Sequence, residues 1–496
     1  MRGQPFLQSG EEEIQQPVLI DPDRVQVRHL LLHFPHDVRP TEESLGIASP
    51  AHFLAEVLKM KPGLASVAAA RANLASGTRL LLMNIGFTFQ GLRRLEVPPH
   101  ILTCLTLKAP AFAAGSPLRA AAFAADTGAS DPARWNAEFA LHHLHAVITL
   151  HADLDEEIDN AIAHIERLAN ALTPPVDIRR LPPGKALLGR EKPPLVHFDV
   201  RDGLSRVEIR RWDDPDEVGQ PPVKKISRHE IGEFVLGYPE DTKANPWIRD
   251  LAGRILPART RDFFRHGSFG VLRQMAQDTV GFANYVKGTA AEHKSAIGID
   301  DEAELHGYVM SRLIGRWPDG KRSSVSEPIK EFLPAGADFD YHGDPEGYGC
   351  PLGAHMRRMN PRGTPIAQQA ARPVMRRGMP YGPRCTGRKD DIERGLLGLF
   401  FCASIEEQFE HLLGQWADRV PLGSPDTGDA KDPLVGDNVH DARFVVPRPD
   451  AQPLVFSGLS SFVTTRGMAY LFYPALSTTR LIVESDYFAD QQDLPR

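Results

Sequence analysis

The order in which two kinds of hydrophobic period follow one another constrains the fold of this chain more than any single motif. Val25 to Phe34 alternates in part and stops before Pro35, which reads as a strand. Helical spacing follows at residues 51–59 and 64–75, and the apolar run Thr78 to Phe89 reads as a second strand. Gln90-Gly91-Leu92 then turns into a short helix ending near Pro98, and residues 109–135, rich in Ala, Gly and Ser, read as small helices and loops. His145 to His151 is a β-branched third strand. Asp153 to Leu172 is an amphipathic helix whose acidic first turn suits the positive end of the helix dipole. Pro174 to Arg190 reads as loop and Leu195 to Val200 as a short extended piece. Strand, helix, strand, strand, helix, strand is the order of a ferredoxin-like α+β domain, expected here over residues 1–225.

A second set begins near residue 228. Glu233 to Tyr238 reads as a strand stopped by Pro239, and Ser268 to Arg273 as another running into a helix at 274–288. Glu302 to Ile314 is helical, residues 316–350 and 359–392 are loop-rich, and Gly395 to Cys402 is a buried strand. An amphipathic helix, Ile405 to Ala417, and a final strand, Met468 to Tyr473, complete the set. The same mix occurs twice without a sequence repeat. The expectation is an α+β chain with a second domain over 226–496, interrupted at 420–460 by a long excursion dense in Pro, Gly and Asp.

Composition excludes several classes. With 42% hydrophobic residues the chain can build a large core, and a net charge of -7 gives no general affinity for nucleic acid. Cys104, Cys350, Cys385 and Cys402 lie far apart and form no CxxC, which suits reduced thiols. Residues 1–22 read as a polar leader without an apolar signal core, and no run approaches the length of a membrane span. A cytoplasmic protein without a membrane partner is expected.

Three stretches carry chemistry, and two that could are rejected. Cys350 to Arg362, CPLGAHMRRMNPR, places one histidine, His355, ahead of Arg357, Arg358 and Arg362. A neutral imidazole beside a basic rim can give a haem its axial nitrogen and cations for its propionates, and Gly353 and Ala354 leave room for something flat to approach the backbone. The bland alternative is a structural hydrogen-bonding histidine. His197 to Gly203, HFDVRDG, ends in an Asp-Gly turn that can aim Asp202 into a cavity. Pro373 to Gly382, PVMRRGMPYG, reads as a rigid turn carrying Arg376 and Arg377. Gly315 to Lys321, GRWPDGK, has phosphate-loop spacing but lacks the Ser or Thr that would hold magnesium and follows a helix, so it is rejected as one. His142, His143 and His145 read as a strand-entry cluster rather than metal ligands, since neighbouring strand residues face opposite ways.

Taken in chain order, together with GEFVLGYP, HGSFGVLRQMAQDT, GLLGLFFCASIEEQFEHLLGQW and RGMAYLFYPAL, the stretches resemble the dye-decolorising peroxidase family over roughly residues 195–475. The resemblance is vaguer before that, where NIGFTFQGLRRL is the best piece. It implies two ferredoxin-like domains with antiparallel sheets and a haem b held mainly by the C-terminal one. His355 matches the proximal iron ligand, Asp202 the distal aspartate and Arg376 the distal arginine, while Arg362 is the match for a propionate contact. The implied activity is reduction of hydrogen peroxide with one-electron oxidation of phenolic or dye-like donors. The implied partners are peroxide and small aromatic reductants, with no nucleic acid and room for a homo-oligomer. The alternative is a haem-handling protein with incidental peroxidase activity. Glu407 or Glu410 is expected to receive the other proximal ring nitrogen, and Trp416, Trp317 or a tyrosine to serve as a surface radical site. One position departs from the pattern: Asp199 stands where the family's G-x-x-D-G begins with glycine, which puts a second carboxylate near the site, able to stand in for Asp202.

Overall fold

The structure is a computed structural model. It describes residues 10–36, 39–40, 47–140, 143–204, 207–209, 228–324, 332–333, 340–362, 372–385, 387, 390–419, 428–438 and 441–484. Nine strands form one antiparallel sheet: β1 Gln26–His33, β2 Leu82–Phe87, β3 Ala146–Ala152, β4 Asp177–Arg180, β5 Gly184–Lys185, β6 Ser268–Gln277, β7 Met375–Tyr381, β8 Gly395–Cys402 and β9 Val463–Tyr473. Their order is β3-β2-β9-β6-β8-β7-β5-β1-β4, and β3 also pairs with β1, so the sheet closes on itself as a barrel. Closure leaves β4 lying beyond β5 on the same edge of β1. Counted within its own half, each group of strands runs 4-1-3-2, the ferredoxin-like order, so the two α+β halves share a topology. They join at two narrow seams, Phe472 beside Phe87 and Tyr381 beside Gly184. The boundary expected at 225/226 lies outside the described residues.

Alternation along the strands sorts the core into two faces. Val27, Leu31, Val147, Leu272, Leu397, Leu399, Phe401, Leu471 and Tyr473 point into the lumen and form one cluster. Leu30, Leu32, Ile85, Ile148, Leu150, Phe269 and Phe472 point outward and join another with the covering helices. α1, Asp155–Ala169, supplies Ile158, Ile162 and Ile165 to that outer cluster at helical spacing. The residues read as a polar leader include a plug: Ile14, Gln15 and Val18 are buried, and the Gln15 amide bonds to the backbone of Ile85 at both its nitrogen and its oxygen.

The second half packs its helices differently. α2, Thr279–Ile297, and α3, Glu302–Ile314, put Phe282, Val286, Val309 and Leu313 against Phe444 and Phe456. Those phenylalanines belong to an antiparallel pair, Ala442–Val446 with Leu454–Leu459, inside the stretch expected to be one long excursion. Other expectations shift too. Glu233 to Tyr238 is not a strand: Ile231–Glu233 is a helical turn, and Phe234 and Val235 cap the lumen. PVMRRGMPYG is not a turn but β7, and Pro380 sits in it paired with Leu396. Pro174 to Arg190 holds β4 and β5 rather than loop alone. Among the described residues no helix is long and apolar enough to cross a membrane.

Candidate haem and peroxide site

His355 opens α4, the five-residue helix His355–Met359, and its Nδ1 lies 2.9 Å and 3.0 Å from the two carboxylate oxygens of Asp432. Asp432 is fully buried, and its Oδ1 also accepts from the backbone N–H of Leu434 at 2.8 Å and Val435 at 3.0 Å. Burial works against its charge, but His355, the Val435 N–H and the Arg358 charge outweigh it, so the carboxyl is held below its usual range. The acid behind His355 is therefore Asp432, not either expected glutamate. Glu410 is held by Arg119 at 2.7 Å and 2.6 Å and accepts from the Tyr470 hydroxyl at 2.9 Å, and Glu407 pairs with Lys243. The segment KDPLVGDN offered a signal, an Asp ahead of a tight turn inside a long excursion, but no spacing in the sequence ties it to His355.

The basic rim behaves differently from its reading. Arg357 is spent on Asp344, at 3.1 Å to Oδ2 and 2.7 Å to the carbonyl, and on the Cys350 carbonyl at 2.8 Å. Arg358 is buried among backbone carbonyls. Arg362 is also buried, its carbonyl accepting from Tyr341 N at 3.0 Å. The flat group against Gly353 is Phe444, whose Cε2 would lie 2.8 Å from a Cβ at that position.

On the other side, Arg376 and Asp202 come together: Nη2 to Oδ1 is 4.0 Å, and both side chains are nearly half exposed, so a small solute can reach them. Arg376 projects from the outer face of β7, because Met375 and Tyr381 take the lumen face. The loop that carries Asp202 is tied down at several points. His197 Nε2 lies 2.9 Å from the Tyr381 carbonyl, burial keeps its ring neutral, and Phe198 packs on Phe282 at 4.4 Å between ring centroids. Arg201 N donates to the Pro318 carbonyl at 3.0 Å and Asp202 N to that of Pro194 at 2.9 Å. The rejected phosphate-loop stretch is thus a turn under the Asp202 loop, closed on itself by Arg316 Nη1 to the Gly320 carbonyl at 2.9 Å.

Asp199 keeps the backbone shape a glycine would take, at φ +55°, which Asp tolerates better than most residues. Its carboxylate accepts from Arg384 at 2.8 Å and 3.0 Å. His142 lies outside the described residues; His145 accepts from Phe34 N at 2.9 Å and stacks on the Phe34 ring, a structural role. Trp317 is buried with its indole N–H on Ser323, whereas Trp416 is partly exposed beside His411. All four cysteines are free thiols.

Two features fit a haem. With Nδ1 fixed on a carboxylate, Nε2 is the ring nitrogen left for iron. Beside Arg376 the outer sheet face is open at Gly378, where a Cβ would meet nothing closer than Leu396 at 3.6 Å, whereas over its partner Gly398 the space is taken by Phe400 at 2.6 Å.

The barrel of two ferredoxin-like halves thus carries a carboxylate-oriented imidazole and an acid–arginine pair 4.0 Å apart. Residues 48–176 match the family model described as the DyP dimeric alpha+beta barrel domain. The dye-decolorizing peroxidase msp1 of Mycetinis scorodonius is 27% identical over 434 residues, 81% of this chain and 76% of that one. AauDyP1 of Auricularia auricula-judae is 26% identical, over 80% and 75% of the two chains. In fold, the chain is similar to a dye-decolorizing peroxidase solved with 2,6-dimethoxyphenol, with a TM-score of 0.72 at 22% identity over 95% of this chain and 99% of that one. The chain is thus similar to dye-decolorizing peroxidases over most of its length, and residues 48–176 match the family's barrel domain.

Proposed function

We propose that this protein is a haem b peroxidase that reduces hydrogen peroxide and oxidises phenolic or dye-like donors in one-electron steps. His355 Nε2 holds the iron, and Asp432 fixes the ring and strengthens it as a donor. Arg362 and Arg376 contribute positive charge to the cofactor's surroundings, Arg362 toward a propionate. Bound haem supplies the redox chemistry, two electrons to peroxide and one at a time from donors. Asp202 takes the proton from one peroxide oxygen and returns it to the other. Arg376 fixes a positive charge where negative charge develops as the O–O bond breaks. The observation that carries this reading is the meeting of Asp202 and Arg376, from opposite halves of the chain, at 4.0 Å.

In this reading the N-terminal domain, 1–225, carries Asp202 and the C-terminal domain, 226–496, carries the other site residues. The four free, scattered cysteines favour the cytoplasm. Protein produced with haem available should show a Soret band and oxidise a methoxyphenol only when peroxide is added. Absence of the band, or oxidation independent of peroxide, overturns the reading, and fractionation of cells tests the compartment.

A further inference from the structure

α4 has five residues, too few to hold its own direction, since a helix this short closes hardly more than one turn. Something else must aim His355 at Asp432. Arg358, three residues on, is buried and spreads its guanidinium over three segments. Nε donates to the Gly353 carbonyl at 2.9 Å, Nη1 to those of Trp416 at 3.2 Å and Arg419 at 2.5 Å, and Nη2 to that of Ala430 at 2.7 Å. Trp416 lies in the last turn of the wide helix that runs from Ile405 and Arg419 just beyond its end, and Ala430 stands two residues before Asp432. The backbone of Asp432 is tied to the same helix end, its N–H donating to the Ala417 carbonyl at 2.8 Å. Two side-chain bridges therefore join the acid's loop to the ligand's helix: His355 to Asp432 and Arg358 to Ala430.

From this geometry we infer that Arg358 is a positioning residue that sets the His355–Asp432 hydrogen bond and, through it, the donor strength of the axial imidazole. The inference rests on His355 being the haem ligand. A planar fork that satisfies four carbonyls fixes the angle between three segments, which a lysine's single ammonium cannot do. Burying a guanidinium without a carboxylate in direct contact is costly, and burial depresses its pKa, with the charges of Asp432 and Asp418 opposing that. A residue that served only as a rivet could be replaced by an apolar side chain of similar length without touching the imidazole.

The test is Arg358→Met and Arg358→Lys in the full-length holoprotein, with Asp432→Asn as the reference for a weakened imidazole. The readouts are the iron–histidine stretching frequency of the ferrous form, the midpoint potential and the melting temperature. Both Arg358 variants should move the frequency toward the Asp432→Asn value. Both should favour the ferrous form by about tenfold, about 59 mV for a one-electron couple. Wild-type frequency and potential with only a lower melting temperature would overturn the inference. If Arg358→Met does not fold, Arg358→Lys keeps the charge, loses the fork and carries the same readouts. A haem-independent arm separates this idea from the proposed function. In the full chain without haem, nuclear magnetic resonance should show the His355 Nδ1–H protected from exchange in wild type and exchanging freely in either variant. Failure to bind haem would sink the function while leaving this arm decisive.

Discussion

The two halves share a strand order and differ in what they do with the outer face of the sheet. In the N-terminal half, α1 lays Ile158, Ile162 and Ile165 over β1 and β3, and the face becomes ordinary core. In the C-terminal half, α2 and α3 pack on each other and on the Phe444–Phe456 pair, a cluster that among the described residues takes none from β6, β7 or β8. That leaves Arg376 and Gly378 exposed, beside Phe400, which packs on Phe409 of the helix from Ile405, and close enough to the Asp202 loop for the 4.0 Å contact. The lumen differs too: its histidines, His29 and His151, come from the N-terminal strands, and its tyrosines Tyr381 and Tyr473 from the C-terminal ones. One topology therefore supports one half whose outer face is core and another that leaves Arg376 and Gly378 exposed, and the difference lies in where the crossover helices are sent.

The largest expected effect tests which half holds the cofactor. His355→Ala should lose haem, with affinity falling on the order of 100-fold or more, beyond the range for losing an outer partner of a ligand. Ile162→Ala, in α1, should instead cost about 2–5 kcal/mol of stability and leave haem occupancy intact in the folded fraction. Pyridine haemochrome content and denaturant melts read the two. Equal haem loss in both would erase the division. Next comes rate. Arg376→Leu should slow the reaction with peroxide by about 10² to 10³, the effect of removing one preorganised charge contact. Asp202→Asn should slow it less, because water replaces a proton carrier better than a fixed cation, although a positioned acid or base spans about 10² to 10⁴. Stopped-flow mixing ranks them, and the reverse order would mean that proton transfer limits the reaction more than charge stabilisation does.

Gly378→Val sharpens the contrast between covered and open faces. Its Cβ has space, so the melting temperature should hold, while haem affinity should fall about tenfold as branches fill the strip beside Arg376. Unchanged affinity would mean the cofactor does not lie there. The lumen gives a pH effect. Burial, with each other's or a nearby arginine's charge, pushes His29 and His151 down to about 3. The folded state then holds both neutral while the unfolded chain protonates near 6.5, so their contribution is present above that value and is lost as pH falls toward 3. Each accounts for about 1.4 kcal/mol per pH unit in that window. Replacing both with Gln should flatten the stability curve between about pH 4 and 6, read by urea unfolding, and an unchanged slope would reject the assignment.

Much of this was legible because period and local motif carry it. β1, β3, α1 and β8 fall within a few residues of where alternation and helical spacing put them. His355, Asp202 and Arg376 sit in stretches dense enough to single out, and the fold brings Asp202 within 4.0 Å of Arg376. What failed was pairing at long range. Asp432 is 77 residues from His355, in a Pro- and Gly-rich excursion where no period operates. The β7 stretch reads as a turn because Gly and Pro outweigh strand propensity locally, while its two neighbours in the barrel override that preference. The arginines after His355 look alike in sequence, yet two of them are consumed by carbonyls and Asp344 that only the fold brings near.

The smallest expected effect concerns Asp199, where the sequence departs from the pattern of the family it resembles. A carboxylate three residues before Asp202 could have been a spare proton carrier. Its oxygens instead face Arg384, and both partners are more than half exposed, so the pair itself is worth about 0–1 kcal/mol. Asp199→Gly removes that pair and frees the unfolded chain, costing about 0.4–1 kcal/mol, but relieves a left-handed backbone that costs an L-residue about 1–2 kcal/mol. The loss and the relief nearly cancel, so stability should change by less than about 1 kcal/mol. The rate with peroxide should change less than about threefold, a barrier change of under about 1 kcal/mol, because the group that meets Arg376 is Asp202. The decisive measurement is the pair of variants: Asp202→Asn with Asp199→Asn should react with peroxide as fast as Asp202→Asn alone. A double variant about tenfold slower would mean that Asp199 leaves Arg384 and carries the proton when Asp202 cannot, and the exposed end of the Asp202 loop would then belong to the proposed site after all.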